Sequence, residues 1–179
     1  MIVLRAIFLC LLLAPATALS GDKSEQLPGA VKSALDRRFT GWRFSEVSGE
    51  VRQFLRERHP GARPDLIKGD FDGDGRTDYA VLIEHENFDR RGTSITHFVE
   101  RLAFLRRGSG YKLFILEKGT PASPELYLRL AEKGAQGYNF HTDKKFRYPH
   151  DSIGVGYFGK AGGTYIYRRG RFRYVVESD

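Results

Sequence analysis

The chain predicts an α+β fold, with two N-terminal helices followed by a mainly antiparallel sheet of six to seven strands. Three observations carry that prediction. The apolar period changes from helical to strand-like after Pro60, the later apolar runs are joined by short Gly- and Arg-bearing turns of hairpin type, and no unit of about 20 to 50 residues recurs. The missing repeat argues against a solenoid or a propeller. At 179 residues, 41% hydrophobic and 28% charged, the chain fits one globular domain and leaves no room for a second of full size.

The first eighteen residues read as a cleaved secretory signal peptide: Arg5, an apolar run over 6–14, then Pro15 and small residues ending at Ala18. That run is shorter than the roughly 20 residues needed to cross a bilayer as a helix, so a permanent anchor is the weaker reading. A lipoprotein signal is disfavoured because Leu9, not a small residue, precedes Cys10. Cys10 is the only cysteine of the chain and leaves with the leader, so the remaining fold has no disulfide. Cleavage leaves about 160 residues with a formal charge near +6, down from +7, expected to be soluble without a transmembrane anchor and periplasmic or secreted. Residues 19–26 are expected to be disordered, and 27–179 to form the single domain.

Pro28 suits the first turn of a helix whose apolar positions are Val31, Ala34, Leu35 and Phe39, stopped by Gly41. Residues 42–47 alternate around Trp42 and Phe44 as a strand. Ser48 then caps a second helix with Val51, Phe54 and Leu55 on its apolar stripe, ended by Pro60 and Gly61. Residues 66–69 read as a short strand, and 79–83 as a strand covered on both faces. Residues 95–105 and 111–117 form a hairpin across 106–110, residues 126–130 alternate, and 163–167 pairs with 172–176 across 168–171. Residues 119–124 and 141–151 are expected to be long loops.

The chemistry concentrates in Gly69-Asp70-Phe71-Asp72-Gly73-Asp74-Gly75-Arg76-Thr77-Asp78. Its aspartates fall at loop positions 1, 3, 5 and 9, with glycine at position 6. A hard cation takes six to eight oxygens at about 2.3 to 2.6 Å, and alternate residues of a tightly curled loop aim their carboxylates at one centre. Gly75 permits the reversal, and the carbonyl of Arg76 offers a backbone oxygen. Asp70, Asp72, Asp74, Arg76 and Asp78 are therefore the expected calcium ligands, Asp78 directly or through water. A solvated acidic turn is the plainer alternative, but four aspartates in nine residues repel one another unless neutralised, and this cluster stands in a basic chain. Magnesium prefers to keep its waters, and zinc wants His or Cys.

The run GDFDGDGRTDYAVLI over residues 69–83 resembles the FG-GAP or VCBS-type calcium-loop repeat. Its first half is also similar to an EF-hand or dockerin loop, but an EF-hand wants a bidentate Glu at position 12, where this chain has Val81 in a strand-like run. The resemblance covers about 15 residues and implies calcium binding in a strand-loop-strand unit. It does not imply a propeller or the adhesive roles of multi-blade relatives, because the motif occurs once.

Other signals weigh less. Gly154-Val155-Gly156-Tyr157-Phe158-Gly159 matches a dinucleotide fingerprint in letters, yet it runs towards a strand instead of opening a helix. The five histidines are expected on the surface or in loops, and neither a zinc-helix pair nor a nucleophile elbow is present, so enzyme status has no positive support. His141, Asp143, His150 and Asp151 share one polar stretch in which catalytic convergence is the minor reading. A hydrolase holding calcium only as a clamp is a remote alternative. Arg168, Arg169, Arg171 and Arg173 interleave with Tyr165, Tyr167, Phe172 and Tyr174, the plain account being aromatic side chains inward and arginines outward. As a binding face they suit an anionic envelope glycan, lipid or protein partner, with nucleic acid disfavoured in an exported chain.

Overall fold

Helical apolar spacing near the start of the domain produces two helices, α1 (Gly29–Arg38) and α2 (Gly49–Arg58), separated by a two-residue strand, β1 (Arg43–Phe44). The computed structural model describes residues 27–88 and 95–178, so the leader and the segment 19–26 lie outside the described residues. Pro28 stands one position ahead of α1, and its carbonyl accepts from the N–H groups of Val31 and Lys32. The first helix stops at Arg38, one residue short of the expected end, where Phe39 turns extended. In α2 the Ser48 hydroxyl accepts from the Val51 N–H, as its capping role requires.

The rest is strand: β2 (Leu66–Gly69), β3 (Asp78–Phe88), β4 (Ile95–Arg107), β5 (Gly110–Pro121), β6 (Leu126–Ala131), β7 (Gln136–Asn139), β8 (Lys144–Arg147), β9 (Ser152–Tyr157), β10 (Gly162–Arg168) and β11 (Arg171–Ser178). All pairings are antiparallel. The expected single sheet of six to seven strands is corrected to three sheets of five, four and two strands among the described residues. Sheet A runs β1-β3-β4-β5, with β2 on the same edge of β3 as β1 but further towards its start. Sheet B runs β11-β10-β9-β6, sheet C is the β7–β8 hairpin, and no barrel closes. Alternation tells which side chains share a face; it does not tell which strands share a sheet.

Sheets A and B face each other across a core of Ile67, Phe71, Ala80, Leu82, Val99, Ala103, Leu105, Leu126, Leu128, Ile153, Val155 and Tyr165. The opposite face of sheet A, carrying Val81, Ile83, Leu102 and Phe104, is covered by Val31, Leu35 and Phe39 of α1 and its cap. Residues 80–83 are thus buried on both sides, as their unbroken apolar run implies. Helix α2 seals one end through Val51 and Leu55, with Phe54 against Tyr127 and Phe158.

Two expected loops are corrected. Strand β5 extends to Pro121, with Thr120 paired to Val99, and so absorbs the first half of 119–124. The stretch 141–151 contains β8, which pairs with β7 and lies against sheet B through Phe146 and Tyr148. The expected strand over 42–47 contracts to β1, although the Ser45 N–H still bonds to the Leu82 carbonyl. The glycine-rich run forms β9, in a sheet and not at a helix start, so the dinucleotide reading fails. Among the described residues no helix is long and apolar enough to cross a membrane.

Candidate metal centre

Strands β2 and β3 are antiparallel neighbours, with Gly69 opposite Asp78, so the acidic run between them must close on itself. Aspartate carboxylates curl it. Asp70 Oδ2 accepts from the Gly75 N–H at 2.9 Å, Asp72 Oδ1 from the Asp74 N–H at 3.2 Å, and Asp74 Oδ1 from the Arg76 N–H at 3.0 Å. Gly73 and Gly75 take φ of 79° and 81°, a conformation that costs a side-chain-bearing residue energy. Phe71, fully buried, pins the loop into the core between the sheets.

The result brings Asp70, Asp72 and Asp78 together, with one carboxylate oxygen of each within 4.8 Å of the others. Asp74 is not part of that group and is a third exposed; one of its oxygens lies 3.3 Å from the Arg107 guanidinium. Arg76 sits exposed at the loop's exit, its N–H already engaged by Asp74.

Asp78 is fully buried. It accepts from the Phe71 N–H at 2.9 Å and from the Arg106 N–H at 2.7 Å, joining the loop to the end of β4. Burial pushes its pKa up to about 6, against the pull of those two N–H groups, and the neighbouring Asp72 and Asp74 push the same way. At Asp70 one oxygen, Oδ1, is buried and has no hydrogen-bond partner among the described residues. A buried carboxylate oxygen with nothing to bond is costly in the absence of a counter-charge.

Three residues outside the motif shape the loop and were not legible in it. Arg107, the last residue of β4, pairs with both Asp72 and Asp74. Asp151 accepts from the Asp70 N–H at 3.1 Å through one oxygen and from the Lys133 N–H at 3.0 Å through the other. His150 lies alongside Gly73, its ring nitrogens set 3.0 Å from the Asp151 carbonyl and 2.9 Å from the Tyr167 carbonyl. His150 and Asp151 thus serve the acidic loop, whereas His141 and Asp143 are exposed at the tip of the β7–β8 hairpin, Asp143 accepting from the Tyr138 hydroxyl. His85 also departs from the surface expectation: it is mostly buried on β3, with Nε2 3.1 Å from Glu100.

Of the basic residues singled out in the sequence, Arg168 and Arg173 reach one concavity beside β8, while Arg169 and Arg171 lie exposed at and just after the hairpin turn. The aromatic-inward arrangement holds for Tyr165, Tyr167 and Phe172, which join the core between the sheets, and is corrected at Tyr174, which lies outside that core and is exposed. Comparison of the chain with protein-family models, with curated proteins and with solved structures found no match.

Proposed function

We propose that this is a small exported calcium-binding domain in which a single ion, held by Asp70, Asp72 and Asp78, fixes the 69–78 loop between β2 and β3. The observation that carries the reading is the buried, unpartnered Asp70 Oδ1 beside two further carboxylates within 4.8 Å. Three carboxylates in one small space, one of them resisting ionisation, form a site whose cost falls when a divalent cation enters. Hard oxygen donors suit calcium, and the likeness of residues 69–83 to FG-GAP-type loops supports the same ion. The role is structural, because the loop is tied by Phe71, Asp78 and Asp151 into both sheets. Export rests on the leader-like pattern of residues 1–18, and extracellular calcium near millimolar would keep a site of about 10⁻⁴ to 10⁻³ M filled.

The test is thermal unfolding in excess EDTA and in millimolar calcium or magnesium at constant ionic strength. Calcium is expected to raise the melting temperature more than magnesium does. Asp70→Asn keeps an oxygen for the Gly75 N–H and removes the charge, so the variant should fold and lose most of the calcium-dependent rise. A rise of unchanged size in the variant would place calcium elsewhere.

A further inference from the structure

A concavity lies on the far side of sheet B from the acidic loop's core contacts, and its charge is opposite in sign to that of the loop. Alternation along β10 and β11 sends Tyr165, Tyr167 and Phe172 into the core between the sheets and leaves Ile166, Arg168, Arg173 and Val175 on the outer face. The β7–β8 hairpin lies over part of that face. A backbone bond of 3.0 Å from the Phe140 N–H to the Val176 carbonyl ties it to β11, and Phe146 packs on the outer cluster with Val175. Between hairpin and sheet remains a cavity of about 300 Å³.

Four cations line it, Lys144 and Lys145 from β8, Arg168 from β10 and Arg173 from β11, over a floor of Phe146, Ile166 and Val175. None of the four side chains makes an ion pair or hydrogen bond among the described residues. Arginines that the fold uses structurally behave differently: Arg43, Arg101, Arg107 and Arg129 each meet a carboxylate. All four are exposed, so water screens their repulsion, and an anion entering the groove lowers it further. Two guanidinium groups favour a tetrahedral oxyanion, which they bind through paired N–H donors, and the apolar floor asks for a hydrocarbon or aromatic body attached to it. A cavity of this size holds one small group and not a length of polymer.

We propose that this groove is a binding site for a phosphomonoester or phosphodiester bearing an apolar group, with the phosphate held by Arg168, Arg173, Lys144 and Lys145 and the apolar part on Phe146, Ile166 and Val175. The site is independent of the calcium loop. The phosphate belongs either to a free organic ester or to a phospholipid headgroup, and the two are told apart by the probe.

Titration of the purified protein with phenyl phosphate, followed by amide NMR, is expected to move the signals of Lys144, Lys145, Arg168 and Arg173 at millimolar ligand. Arg168→Ser with Arg173→Ser should weaken binding about tenfold or more, while Arg52→Ser with Arg56→Ser, an equal charge change on the exposed side of α2, should change it less than about twofold. A parallel arm measures sedimentation with vesicles of about one-fifth phosphatidylglycerol in phosphatidylcholine. Vesicle binding lost in the groove variant assigns the phosphate to lipid, and phenyl phosphate binding without vesicle binding assigns it to a free ester. The proposal is overturned by shifts that fall outside the groove, by equal weakening in both variant pairs, or by binding of neither probe. Should a variant fail to fold, the wild-type NMR map alone still locates the phosphate inside the groove or outside it.

Discussion

At the scale of single residues, the acidic loop is governed by how each carboxylate is neutralised. Asp78 has two N–H donors, Asp72 and Asp74 share Arg107, and Asp70 Oδ1 has no partner among the described residues. Arg107 therefore stands in for part of a cation's charge. Arg107→Gln should lower stability in EDTA, by up to about 3 °C in melting temperature, because this partly exposed pair contributes at most about 1 kcal/mol. The calcium-dependent rise should become larger, since Asp72 is freed and the metal-free state is less well neutralised. A smaller rise in calorimetry would mean that Arg107 positions Asp72 for the ion instead of competing for it. Asp70, Asp72 and Asp78, which the loop gathers, and Gly75 at its turn were legible in the sequence because they sit close together along the chain. Arg107, His150 and Asp151 were not, because the contacts that bring them to the loop span roughly thirty to eighty residues and no local pattern records them.

At the scale of elements, legibility followed apolar pattern and punctuation, and the buried β9 left little signal because Gly154 and Gly156 interrupt its apolar run. Both helices announced themselves through apolar stripes and punctuation, and so did the long hairpins whose apolar runs end in Gly-bearing turns. The β7–β8 hairpin escaped because its outer face is polar, and it is held by Phe146 and Tyr148 packed on sheet B and by the Phe140 N–H bonded to the Val176 carbonyl. Its stability comes from what it lies on, and tertiary contact of that kind leaves a weak local signature. Helix α1 is the opposite case. Ten residues are too few for a stable helix in isolation, so α1 persists by burying Val31 and Leu35 on the outer face of sheet A. Leu35→Ala should cost about 2–5 kcal/mol in urea unfolding. The calcium-dependent rise should survive, because the α1 interface and the acidic loop use opposite faces of sheet A. Loss of both together would show that α1 and the loop unfold as one unit.

At the scale of the whole molecule, sheets A and B are joined by an apolar core and, towards one end, by a polar knot. Arg101 of β4 is buried between the sheets and reaches Glu117 of β5 and Tyr157 of β9, while the Tyr165 hydroxyl of β10 donates to the same Glu117 at 3.1 Å. The knot thus links two strands of each sheet through one guanidinium and one carboxylate. Burial pushes the Tyr165 phenol up to about 12, with Glu117 adding to the rise and Arg101 opposing it. An unfolded tyrosine ionises near 10, so between about pH 10 and pH 12 the folded chain holds a proton that the unfolded chain has released. The sign follows: Tyr165 leaves stability independent of pH below about 10 and removes stability as pH rises towards 12, by on the order of 2 kcal/mol in all. Urea unfolding at intervals from pH 9 to 11.5 should show the wild type losing its margin over Tyr165→Phe across that window. Tyr138, Tyr148 and Tyr174 are also raised, but they are present in both chains and largely cancel in the difference. Parallel curves for the two proteins would mean that the hydroxyl reaches solvent and that the sheets part there well before the core between them gives way.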